Sequence, residues 1–290
     1  MYLKLENLQS IGSFKIRGAG NAMRLASREG MASGVYTASA GNMAQGVAWN
    51  AREMGVACSV VVPETAPRTK LDAIRRLGGE TILVPFEAWW RVILTHRYAG
   101  LDGLFIHPVS NPAVMASNGT IALEILEDLP DPDAVVVPYG GGGLSCGIAS
   151  ALRALRPETK VYACEVETAA PLAASLAAGE PQSVSHRASF VDGIGGKSVL
   201  PEMFPVAREL LESSLVVSLE EVAASIRLLA ERAHVVAEGA GAAPLAAALT
   251  GQAGRGKVVC IVSGGNIDAR TLAVILGGSL PAPPPPPRKT

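Results

Sequence analysis

Short β-rich runs alternate with helical patterns along nearly the whole chain. VYTA, ACSVVVP, TILVP and LFIHP come early, and DAVVVPY, KVYACE, SLVVS and KVVCIVS follow later. That alternation is the βαβ rhythm of parallel sheets covered by helices. Between Asn42 and Gly55 the apolar residues Ala44, Val47, Ala48, Ala51 and Met54 recur at helical spacing, with Gly55 placed to end the helix, so one face is expected to be buried. Four strand candidates between Gly34 and Pro108 form a compact block, and the flanking segments are longer and richer in glycine. The pattern predicts a small lobe, 34–114, inserted in a larger one, 1–33 with 115–280, followed by a disordered Pro-rich tail over 281–290.

Composition narrows the partners. The chain has 290 residues, 49% of them hydrophobic, enough for a sizeable core. With 25 basic and 26 acidic residues interspersed and a net charge of -1, no footprint for nucleic acid or an anionic membrane is present, and a small-molecule partner is favoured. Four widely spaced cysteines and four histidines signal neither a disulfide framework nor a zinc site, so a cytoplasmic setting is expected and no metal is assigned. No apolar run reaches membrane-spanning length.

Three strand-to-helix junctions and one lysine carry the candidate chemistry. In DAVVVPYGGGGLSCGIASALRAL a strand meets four glycines, Gly140, Gly141, Gly142 and Gly143, then Leu144 and a helical pattern. Such a loop at a helix N-terminus is an anion cradle. It lacks the G-K-[ST] ending of a P-loop and the register of a dinucleotide fingerprint, and it contains no lysine or arginine, so a phosphate there must be held by backbone N–H groups. At roughly 1.5–3 kcal/mol for each bond to a charged group, about four approach micromolar binding. TASAGNMAQG offers Ser39, Gly41 and Asn42 to a carboxylate, unless Ser39 or Asn42 is an ordinary helix cap. CIVSGGNID ends a strand in Ser263, where ligands of open α/β sheets gather. In SIGSFKIRGAGNAM the amine of Lys15 stands between Phe14 and Ile16; apolar surroundings favour an uncharged amine, as imine formation requires. Together these suggest a phosphorylated carbonyl cofactor bound to Lys15.

From KLENLQSIGSFKIRGA through TASAGNMAQG, HPVSNPAVMASNGTIALE and VPYGGGGL to AEGAGAA and SGGNID, the chain resembles the fold type II pyridoxal phosphate enzymes of the threonine dehydratase and serine racemase group. The resemblance implies a two-lobed, tryptophan synthase β-like α/β fold with pyridoxal 5'-phosphate as cofactor. Lys15 would form the imine as the catalytic residue, Phe14 would lie against the cofactor, and Asn42 would approach the ring hydroxyl. Gly140, Gly141, Gly142, Gly143 and Leu144 would hold the phosphate, Ser263 would face the pyridine nitrogen, and Ser39, Ala40, Gly41 and Asn42 would meet the substrate carboxylate. Glu238 lies near the ring in relatives; as a plain reading it is a charge at the start of the following helix. The activity implied is β-elimination from a 3-hydroxy amino acid of the threonine or serine type, giving a 2-oxo acid and ammonia, by an enzyme expected to be a homodimer.

Departures from the family pattern bear on that reading. Ala40 stands where racemases carry a second serine, which favours a dehydratase over a racemase. Glu165 matches a cation ligand of some relatives, but Pro171 replaces its acidic companion. Ser117 and Asn118 replace a more usual glycine and glutamine. Relatives carry several dozen residues before the strand at Tyr2, so truncation of the large lobe is expected, and no feedback-regulatory extension is expected after the catalytic region. The alternatives are a serine racemase or a β-replacement synthase of the same fold, and an inactive truncated cofactor-binding chain.

Overall fold

The computed structural model describes residues 1–66 and 68–283; the expected proline-rich tail lies outside the described residues from residue 284 onward. The strands are β1 Tyr2–Leu5, β2 Val35–Ala38, β3 Cys58–Pro63, β4 Glu80–Val84, β5 Leu104–Phe105, β6 Ala134–Pro138, β7 Lys160–Val166, β8 Ser213–Val217 and β9 Val258–Val262. The α-helices are α1 Lys15–Leu25, α2 Asn42–Met54, α3 Arg68–Arg76, α4 Phe86–Thr95, α5 Pro112–Asp128, α6 Gly143–Leu155, α7 Pro171–Ala178, α8 Phe204–Leu210, α9 Leu219–Leu228, α10 Gly239–Leu249 and α11 Ala269–Leu276. Every strand pairing is parallel, the arrangement that the alternating pattern predicts.

Packing divides the chain into two compact units. The larger joins Met1–Ser13 to the chain from Asn118 onward, and the smaller is Phe14–Ser117. α1 packs on α2, so residues 14–33, grouped by the sequence pattern with the larger lobe, pack with the smaller unit.

In the larger unit the sheet order is β1-β9-β6-β7-β8. All five residues of β6 and of β9 are buried. α10, built of glycine, alanine, proline and leucine, lies across β9, β6, β7 and β8 with nearly all its residues buried. Small side chains permit that close approach. The Val, Ile and Leu side chains around it, such as Val136, Val262 and Ile226, each contribute roughly 1.5–3 kcal/mol on burial.

In the smaller unit the order is β4-β3-β2-β5. Ala44, Val47, Ala48 and Ala51 of α2 are all fully buried, and Gly55 ends the helix with φ 67°, the left-handed conformation glycine adopts without strain. A Cβ at Gly46 would come within 2.9 Å of the Lys15 carbonyl oxygen, so the glycine is what lets α2 approach the start of α1. Asn50, also on α2, donates to the Ile16 carbonyl at 3.1 Å and to Gly46 at 2.8 Å, fixing the same approach by hydrogen bonds. β5 is shorter than the LFIHP run suggested. Thr37 Oγ1 donates to the Ile106 carbonyl, and beyond it the backbone turns about His107, because Pro108 has no N–H to continue a ladder.

Candidate functional site

In the smaller unit, Lys15 is the first residue of α1 and Phe14 its N-cap. The amine is half-buried and sits 5.0 Å from the centroid of the Phe14 ring. It is not sealed in apolar surroundings: Nζ donates to the Pro108 carbonyl at 2.8 Å. β2 and β5 are parallel neighbours, so the turns after both leave the sheet at its carboxyl edge. The turn after β2 holds Ser39, Ala40 and Gly41, and α2 then begins at Asn42. Gly41 is the N-cap and no side chain caps the helix; Ser39 Oγ instead accepts from the Gly41 N–H at 3.1 Å. The ordinary-cap reading of Ser39 and Asn42 is therefore not what forms. Nothing lies within 4 Å of where a Gly41 Cβ would stand, so the first turn of α2 faces open space there. Asn42 and Gly46 are one turn apart on the same face of α2, the face that carries Gly46 onto Lys15.

In the larger unit, β6 and β9 are adjacent, so the glycine loop and Ser263 leave neighbouring strand ends. Gly142 is the N-cap of α6 at φ 96°, and a Cβ there would press on the Tyr139 hydroxyl at 3.0 Å. Its carbonyl accepts from Cys146 N–H at 2.9 Å and from Ser145 Oγ at 3.2 Å. Asn118 Nδ2 donates to the Gly143 carbonyl at 3.0 Å, while the buried Oδ1 of Asn118 has no hydrogen-bond partner. A Cβ on Gly140 would reach the Gly193 carbonyl at 3.2 Å, and one on Gly193 would collide with Ala240 and lie 3.5 Å from Glu238 Oε1. Glu238, 8% exposed, is the N-cap of α10, and its side chain makes no cap bond. Its N–H donates to the Gly264 carbonyl at 3.0 Å. Ser263 is buried; Gly264 bridges to Ser13, Gly265 N–H donates to the Gly12 carbonyl at 2.9 Å, and Asn266 Nδ2 to that of Ile11 at 2.8 Å.

The larger unit therefore brings together Gly140, Gly142, Glu238 and the turn after Ser263. The smaller brings Phe14 and Lys15 to the first turn of α2. A 13-residue helix opening on a positive-φ glycine, with no cationic side chain in the loop, fits a phosphate held by N–H groups. A half-buried amine that donates to a backbone carbonyl fits covalent attachment. The residues fit a phosphorylated aldehyde cofactor.

Sequence reading missed His107, whose loop supplies the acceptor for Lys15, and Gly193, which underlies Gly140. The glycine-rich stretch DGIGG at 192–196 was a signal for the second; nothing local marks the first. The Glu165 carboxylate is fully buried and is used internally, accepting from the N–H groups of Leu172 and Ala173 and from Ser214 Oγ. Burial pushes its titration up, partly offset by those bonds. Among the described residues no three His, Cys, Asp or Glu side chains gather as a metal site needs. No described helix is long and apolar enough to cross a membrane.

A family model described as pyridoxal-phosphate dependent enzyme matches residues 1–264. The L-threonine ammonia-lyase of Geobacter sulfurreducens is 43% identical over 287 residues, which cover 97% of this chain and 71% of that protein. Among solved structures, the processed form of threonine deaminase isoform 2 from Solanum lycopersicum superposes with a TM-score of 0.86 at 34% identity, covering 95% of this chain and 82% of that one. Maize serine racemase superposes at 0.87 with 32% identity, covering 95% and 86%.

Proposed function

This chain belongs to the family of pyridoxal-phosphate dependent enzymes, with the fold type II architecture, and from that premise we propose that it is an ammonia-lyase of the threonine/serine dehydratase kind. The observation that carries the reading is the 43% identity to an L-threonine ammonia-lyase across almost the whole chain. The bound cofactor supplies the electron sink for the pair left when the α-proton departs.

The chain's own residues bind, orient and move protons. Lys15 would anchor the cofactor and, once displaced by the substrate amine, take the α-proton at Nζ. The open space at Gly41 and the N–H groups opening α2 support Ser39, Ala40, Gly41 and Asn42 as the seat of the substrate carboxylate. Gly140 to Leu144 would hold phosphate through backbone N–H groups, Phe14 and Asn42 would flank the ring, Ser263 would face its nitrogen, and Glu238 would lie beside it. A hydroxyl at Ser263 does not hold that nitrogen protonated as a carboxylate would, which favours rapid loss of the β-hydroxyl over transamination. In balance, the substrate loses its α-hydrogen and β-hydroxyl as water; the unsaturated amine released tautomerises and is hydrolysed to the 2-oxo acid and ammonia.

Structural likeness to maize serine racemase supports racemisation as a second reading, but Ala40 offers no second proton donor. We further propose a homodimer, on the family resemblance, and a cytoplasmic location, which the four buried free thiols support.

The test is an assay of the cofactor-loaded protein with L-threonine and L-serine. It should release 2-oxo acid and ammonia, with negligible D-serine by chiral chromatography, and Lys15→Ala should lose both turnover and the borohydride-reducible chromophore. Substantial D-serine without 2-oxo acid would replace the lyase by a racemase.

A further inference from the structure

The acceptor that holds the Lys15 amine lies on a loop wound around an imidazole. His107 is 3% exposed, and its Nδ1 accepts from the Val109 N–H at 3.3 Å and the Ser110 N–H at 2.9 Å. The Ser110 hydroxyl lies 2.9 Å from the same nitrogen. A nitrogen accepting backbone N–H groups carries a lone pair, so the ring proton is on Nε2 and the Ser110 hydroxyl donates. This is the turn an Asn or Asp makes with the N–H groups two and three residues on, here made by histidine.

The turn leaves Pro108 between ring and bonded amides. With no N–H of its own and φ fixed by its ring, Pro108 offers only a carbonyl, and that carbonyl takes Lys15 Nζ. Both ends of the loop are fixed. Thr37 Oγ1 donates to the Ile106 carbonyl at 2.8 Å, and Asn111 Oδ1 accepts from Ala113 and Val114 at 2.9 and 3.2 Å. Asn21 of α1, the helix that Lys15 begins, donates to the Ala113 carbonyl at 2.8 Å. On its other side His107 meets the His96 ring at 4.3 Å between centroids, and His96 is held at φ 57°, a conformation uncommon for a residue other than glycine.

We propose that His107 is a positioning residue for Lys15: by winding its own loop it presents the Pro108 carbonyl as the acceptor that orients the lysine amine. A carbonyl takes an N–H without taking the proton, so it directs the amine while leaving the nitrogen lone pair for another partner. The proposal rests on the reading of Lys15 as the cofactor amine.

Two variants and two measurements test it. His107→Leu removes the acceptor for Val109 and Ser110, and His107→Asn restores an acceptor of the same turn. In cofactor-free protein, acetylation of Lys15 by an amine-reactive ester, followed by peptide mapping, should change severalfold in rate in the Leu variant and return toward wild type in the Asn variant, with Lys70 and Lys197 as references. In the cofactor-loaded enzyme, kcat should fall by about tenfold or more in the Leu variant with KM nearly unchanged, as misplacement of a reacting group predicts. His107→Gln, which moves the acceptor by one methylene, carries the same expectation if the Leu variant does not fold. Wild-type labelling and kcat in a folded Leu or Gln variant would overturn the proposal. Borohydride mapping of the cofactor to another lysine would instead overturn the Lys15 assignment, and would do so whatever the labelling of the variants shows.

Discussion

Two single residues make measurable claims. Gly142 stands at φ 96° with the Tyr139 hydroxyl 3.0 Å from where a Cβ would be, whereas a Cβ on Gly140 would meet the Gly193 carbonyl at 3.2 Å and Ile194 at 3.8 Å, without a positive φ. A side chain in the left-handed region costs about 1–2 kcal/mol before any crowding. Gly142→Ala should therefore lower the thermal midpoint and weaken cofactor binding more than Gly140→Ala does; equal dissociation constants by equilibrium dialysis would count against the conformational argument. His107 supplies the second claim. Burial, with the charges of His96 and Lys15, lowers its pKa from the ordinary 6.5 to about 4. Between those values the unfolded chain binds a proton that the folded chain refuses, so stability falls as pH drops from 6.5 towards 4, by roughly 3 kcal/mol at ~1.4 kcal/mol per unit. Above 6.5 that contribution is constant. Melting curves at pH 6.5 and 4.5 should converge for His107→Asn relative to wild type, and parallel losses would show that the histidine does not titrate as described.

At the scale of elements, the carboxylate of Glu165 ties three of them together. It stands one residue before the end of β7, satisfies two N–H groups in the first turn of α7 and accepts from Ser214 in β8. Pro171 opens α7 without an N–H, so Leu172 and Ala173 are the first donors in need of partners. Each orphaned buried donor costs about 1–3 kcal/mol. Glu165→Ala should cost roughly 3 kcal/mol or more and lower the thermal midpoint by roughly 6 °C or more. Glu165→Gln should cost less, because one oxygen remains to accept. Differential scanning calorimetry of the two variants decides it; a Gln variant no better than Ala would show that charge, not acceptor count, holds the joint.

For the whole molecule, binding of the cofactor to the folded state stabilises it by mass action, about 2.7 kcal/mol at a hundred times the dissociation constant. If the N–H groups of the glycine loop carry the phosphate, pyridoxal 5'-phosphate should raise the thermal midpoint well beyond pyridoxal at equal concentration, in wild type and, to a smaller extent, in Lys15→Ala. Equal shifts from both compounds would remove the phosphate role from Gly140 to Leu144.

Local order sufficed for the elements. The β-rich runs, apart from the shortened β5, the helical spacing from Asn42 with Gly55 at its end, and the glycine loop after β6 stand where the residue pattern put them, because burial period, turn conformation and helix termination are decided within a few residues. Motif order along the chain likewise carried the family and its cofactor. The partners of those motifs were not legible. Lys15 and Pro108 are 93 positions apart, and Glu165 and Ser214 are 49 apart. Which carbonyl faces an amine, or which helix a buried carboxylate caps, depends on strand order, here β5 beside β2 and β8 beside β7. Strand order is set by how the helices cover the sheets, a property of packing that no short window of residues contains, so the tertiary structure alone made His107 the support of Lys15 and Glu165 the joint of three elements.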